Sequence, residues 1–180
     1  MINEFNQPTP PVDGRRTNEP AGQNNEDTIN TLNALIETCK DGQEGFKQAA
    51  EGLERSDLKS LFFEFSQQRS KFAGELQDAV RTLGGDPENS GSIVGSLHRG
   101  WMNVKTAVTG KDEATILNEC ERGEDSAKNA YKEALESSLP AYIQTMVQDQ
   151  YSAVLNAHDR VKALRDAYNE GRSMPAGADR

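Results

Sequence analysis

Histidine and cysteine are scarce in this chain, two of each in 180 residues, and tryptophan occurs once. So few cysteines build no disulfide framework. Both, Cys39 and Cys120, fall on apolar helix seams, where a reduced thiol packs as a small hydrophobe. With no histidine nearby, that placement also argues against a thiolate nucleophile, because apolar surroundings raise a thiol pKa. Basic residues are in deficit: 20 Lys and Arg against 29 Asp and Glu leave a net charge of −9. No basic face exists to displace counterions from nucleic acid or anionic lipid, so neither nucleic acid nor membrane is expected as a partner. No apolar run approaches the roughly 20 residues of a membrane span. The opening MINEFNQPTPPVDGRRTNEP has neither the basic start nor the apolar stretch of a signal peptide. The expectation is a soluble protein of the reducing cytoplasm. Alternating β-branched runs are missing too, which removes the strand signal.

What the chain has instead is Ala, Leu, Glu, Gln and Lys in long segments with apolar residues at steps of three and four. Residues 1–25 and 171–180, polar and rich in Pro and Gly, read as tails around a single domain over 26–170. The first helix is predicted over about 27–54, with Ile29, Leu32, Ile36, Cys39, Phe46, Ala50 and Leu53 on its seam. The second, about 57–83, is capped by Ser56 and stopped by Gly84-Gly85-Asp86-Pro87. A shorter helix over about 92–109, with Leu97, Trp101 and Val104 on one face, connects to a third long helix at about 112–137, begun by Asp112. The last runs over about 139–169 with Pro140 in its first turn. Four long amphipathic helices make an all-α four-helix bundle. Residues 85–111 far exceed a reversal loop, which favours a crossover that carries the chain back along the bundle. Cys39 and Cys120 then lie on opposite sides of its middle.

Each long seam is interrupted by one polar residue: Gln43, Arg69, Glu124 and Gln150. Pointing inward, the four meet in one layer. A lone buried charge costs several kcal/mol, so Glu124 needs Arg69, and two amides complete the hydrogen bonding. Gly42, Gly45 and Gly123 flank these positions, each about 1 kcal/mol worse than Ala inside a helix. Close helix approach would offset that cost.

The segments CKDGQEGF (39–46), LGGDP (83–87), LHRGWMNVK (97–105), CERGEDSAKNAY (120–131) and AHDRVKAL (157–164) together resemble a bacterial four-helix-bundle domain family of uncharacterised function, grouped with the ferritin-like proteins. The resemblance covers about 27–169. It implies a ferritin-like fold and no established reaction. Ferritin-like di-iron proteins place a Glu on each of two helices and Glu-x-x-His on each of the other two. This chain departs from that scheme. Glu64 is followed by Gln67 where His would stand, Glu75 has no His three residues on, and His158 is preceded three positions earlier by Leu155.

A weaker carboxylate set remains, Glu44, Glu64, Glu121 and Glu124, with Glu121 and Glu124 one turn apart. His98 and His158 read as surface or packing residues, since neither has a second histidine at metal spacing. LGGDP lacks the Lys or Ser/Thr that follows a phosphate-cradling loop. The expectation is a non-enzymatic bundle of unassigned function, a scaffold or stress-related interaction protein without cofactor. The alternative is an iron- or manganese-binding ferritin-like protein or oxidase with an atypical carboxylate site. The face of Leu97, Trp101, Met102 and Val104 on the connecting helix reads first as packing against the bundle core, with homo-oligomerisation or a protein partner through that helix as the alternative.

Overall fold

The computed structural model describes residues 21–87 and 112–173. Four helices make up this part: α1 Ala21–Gly52, α2 Ser56–Thr82, α3 Glu113–Glu136 and α4 Ala141–Ser173. The connecting helix expected over about 92–109, with His98, Leu97, Trp101 and Met102, lies outside the described residues, as do most of the two expected tails. α1 starts at Ala21 rather than near residue 27. Its first turns carry exposed polar residues, with the Thr28 hydroxyl donating to the Asn24 carbonyl at 2.8 Å. A helix nucleated by a packed stretch propagates outward at one hydrogen bond per residue, whether or not the added residues bury a face.

Two apolar clusters fill the bundle among the described residues. In the first, Leu32, Ile36 and Cys39 of α1 meet Leu76 and Val80 of α2, Ala127 and Tyr131 of α3, and Ile143 and Val147 of α4. In the second, Phe46 and Leu53 meet Leu58 and Phe62, Ile116, Leu117 and Cys120, and Val161. The first half of α1 therefore sits beside the last halves of α2 and α3 and the first half of α4. α1 runs parallel to α4 and antiparallel to α2 and α3. The contact of Arg55 Nη1 with Glu113 Oε1 at 3.8 Å places the start of α2 next to the start of α3. The chain leaves α2 at one end of the bundle and enters α3 at the other, which is the crossover connection. Cys39 and Cys120 fall in different clusters, on opposite sides of the middle.

The end of α2 shows how local chemistry fixes this geometry. Gly84 adopts φ +81°, its N–H donates to the Arg81 carbonyl, and Gly85 N–H donates to Val80 at 2.9 Å. These are the paired bonds of a Schellman cap. A Cβ on Gly85 would lie 2.9 Å from Ile29, so the second glycine lets the turn close against α1. At the other end the expectation for Ser56 is corrected: Arg55 is the N-cap, without a side-chain cap bond, and Ser56 is the first helical residue. Leu53 and Leu58 are both buried and fix the short α1–α2 turn between them, which leaves Ser56 one position inside. None of the described helices is long and apolar enough to cross a membrane.

Candidate functional site

The middle of the bundle, between the two apolar clusters, holds a fully buried ion pair. Arg69 on α2 is 1% exposed and Glu124 on α3 is 0% exposed. Arg69 Nη2 donates to both carboxylate oxygens, at 2.7 and 2.9 Å, and Nη1 donates to Gln68 Oε1 at 2.8 Å. The guanidinium carbon sits 5.9 Å from the Phe46 ring centroid and 5.8 Å from that of Phe72, so two aromatic faces flank the cation. The stem of Arg69 runs across Gly42, where a Cβ would come within 3.3 Å of Cγ. Gly42 thus makes room for the arginine. Burial raises the Glu124 carboxyl, and the Arg69 charge and its hydrogen bonds oppose that rise. A guanidinium stays protonated at any pH a fold tolerates, which keeps a carboxylate opposite it.

A second chain of hydrogen bonds runs beside the pair. Gln150 on α4 is 2% exposed and takes a hydrogen bond from Tyr131 OH at 2.8 Å through its Oε1. Its Nε2 donates to Glu75 Oε2 at 2.8 Å. With the phenol proton committed to Gln150, the 3.1 Å contact between Cys39 Sγ and Tyr131 OH is a thiol donating to the phenol oxygen. Burial pushes the Cys39 thiol up to about 11. Burial also carries the Tyr131 phenol well above its ordinary range. The chain ends at an open groove between α2 and α4, about 900 Å³ in volume, whose lining includes Gln68, Glu75 and Gln150.

Of the four residues expected in the layer, Arg69, Glu124 and Gln150 are buried, and Gln43 is half-buried. Gln43 contributes its backbone carbonyl, which accepts from Ser66 Oγ at 2.8 Å. Gln68, Glu75, Tyr131 and Cys39 supply partners that periodicity did not single out for this role. Tyr131 and Cys39 sit on apolar seams, whereas Gln68 and Glu75 fall off the apolar seam of α2. The carboxylates Glu44, Glu64, Glu121 and Glu124 are not brought together. Glu44 and Glu64 are exposed, Glu44 accepts from Gln48, and Glu121 pairs with Arg165. The centre does not fit a two-metal carboxylate site, because a fixed guanidinium lies within hydrogen-bond distance of its one fully buried carboxylate.

A family described as "Domain of unknown function (DUF2383)" matches residues 27–137. The chain belongs to this family. Among solved structures, it is similar to a two-domain protein from Anabaena variabilis containing DJ-1/ThiJ/PfpI-like and ferritin-like domains, with a TM-score of 0.67 and 17% identity. That likeness covers 86% of this chain and 42% of the other, so the chain spans less than half of its neighbour. It shows the ferritin-like fold and nothing of activity. No curated protein matches the chain.

Proposed function

We propose that this member of the family is a non-enzymatic ferritin-like bundle of the cytoplasm, a scaffold or interaction protein whose centre holds a permanent ion pair in place of a metal. The observation that supports this reading is the Arg69–Glu124 pair. A guanidinium neutralises the buried carboxylate as a metal cation would, but it offers no open coordination position and no redox change. Its planar donors are directional, so the pair, with Gln68 and the two flanking rings, fixes the heights of α2 and α3 relative to each other. What the centre supplies on this reading is a single rigid register for presenting the outer helix faces.

The experiment is a comparison of stability and iron content. Arg69→Met leaves Glu124 buried without its partner and is expected to lower unfolding free energy by about 3–5 kcal/mol in urea. Protein purified from iron- and manganese-supplemented cells is expected to carry neither metal at its centre. Near-stoichiometric iron or manganese that disappears in Glu124→Gln would overturn the reading in favour of the metal-binding or oxidase alternative. An Arg69→Met variant as stable as the parent would remove the pair from its structural role.

A further inference from the structure

Away from the centre, on the seam between α3 and α4, Glu121, Asp125 and His158 bring one ligand atom each to within 4.8 Å of one another. Glu121 and Asp125 are four residues apart and so share one face of α3. His158 reaches them from α4. Its side chain is 9% exposed, so the imidazole is a built-in element of the seam.

His158 Nδ1 lies 3.0 Å from Asp159 Oδ1, and Nε2 lies 3.1 Å from Asp125 Oδ1. The Lys128 ammonium sits against both of the latter atoms, 2.7 Å from Asp125 Oδ1 and 3.2 Å from His158 Nε2, and is the cation they share. Glu121 is held to one side by Arg165, whose guanidinium also bonds Asp166 Oδ1.

We propose that Glu121, Asp125 and His158 form a Zn²⁺ site on the α3–α4 seam, in which the metal displaces Lys128 as the shared cation. Two carboxylate oxygens and one imidazole nitrogen are a ligand set zinc accepts, with water in the fourth position. Zinc bonds of about 2.1 Å in a tetrahedron set ligands about 3.4 Å apart. The Asp125–His158 separation already lies near that value. Glu121 closes the remainder by side-chain rotation, and Arg165 keeps Asp166 as its partner when Glu121 leaves. Asp159 on Nδ1 is the outer carboxylate that metal-bound histidines use to fix their tautomer. None of these residues belongs to the central pair, so the site stands whether or not the centre is metal-free.

The test is titration of the full chain with Zn²⁺ by competition against a chromophoric chelator, with Co²⁺ as a spectroscopic probe. The wild type is expected to bind one Zn²⁺ per chain, and Co²⁺ to give the visible bands of tetrahedral coordination. Lys128→Met removes the competing cation and is expected to tighten binding about tenfold. Asp159→Asn is expected to weaken it by roughly 10–100-fold. His158→Ala and the half-exposed Asp125→Asn are each expected to abolish the bound equivalent while circular dichroism stays helical. The second variant decides the matter should the first fail to fold. Zinc affinity that is equal in wild type and Asp125→Asn, or unchanged in Lys128→Met, would overturn the site. Iron bound at the centre would leave this titration pattern unaltered, so the two proposals fail separately.

Discussion

Arg69 is the residue on which the bundle's middle depends, and its surroundings set opposing demands on the neighbouring helix. Gly42 in mid-α1 forgoes about 1 kcal/mol of helix propensity relative to Ala, and the space it leaves is taken by the Arg69 stem. Because Glu124, Gln68 and two rings pin the guanidinium, that stem has little freedom to yield. Gly42→Ala is therefore expected to destabilise the wild type by about 1 kcal/mol. In an Arg69→Ala background the same substitution should stabilise, since only the propensity gain is left. A urea double-mutant cycle reads the change of sign. The Cys39 thiol gives a pH prediction. It titrates at 9.0 when unfolded and at about 11 when folded, so above pH 9 the unfolded state binds fewer protons than the folded one. The associated stability is fully present below pH 9 and is lost as pH rises to 11, an order of about 2–3 kcal/mol. Cys39→Ala should flatten the fall in unfolding free energy over that window.

At the scale of the element, the end of α2 is set by two glycines with different tasks. Gly84 supplies a left-handed φ of +81°, and Gly84→Ala is expected to cost about 1–2 kcal/mol through backbone conformation alone. Gly85 supplies clearance. Its Cβ would meet Ile29 at 2.9 Å and Val80 at 3.0 Å, an overpacking expected to cost about 1–3 kcal/mol. The two costs are separable by thermal denaturation. Ile29→Ala should offset much of the penalty of Gly85→Ala and none of that of Gly84→Ala. Equal coupling of Ile29 to both glycines would show that the α1–α2 contact does not depend on clearance at Gly85.

On the scale of the whole molecule, the polar layer divides the core into two apolar clusters that share no member. Ile36 is fully buried in one and Ile116 in the other. Ile36→Val and Ile116→Val are each expected to cost about 0.5–1.5 kcal/mol, and their sum should match the double variant within about 0.5 kcal/mol. A coupling above 1 kcal/mol would mean that the layer transmits packing strain between the halves instead of separating them.

Periodicity alone determined the four long helices, though not the start of α1, because an apolar stripe recurring at steps of three and four can be buried only by a helix packed on others. The single polar interruption in each stripe pointed to Arg69, Glu124 and Gln150, which are buried, and to Gln43, which is half-buried and offers only its backbone carbonyl. The length between Gly85 and Asp112 was enough to favour a crossover over a reversal. Tertiary structure alone decided which side chains complete the polar layer. Tyr131 and Cys39 fit an apolar stripe as well as a hydrogen-bonded chain, and Gln68 and Glu75 look like solvated positions until α4 and Arg69 are beside them. It also decided the cluster of Glu121, Asp125 and His158. Their ligand atoms converge across two helices, and sequence spacing reports neighbours along one helix but not the rotation of one helix against another.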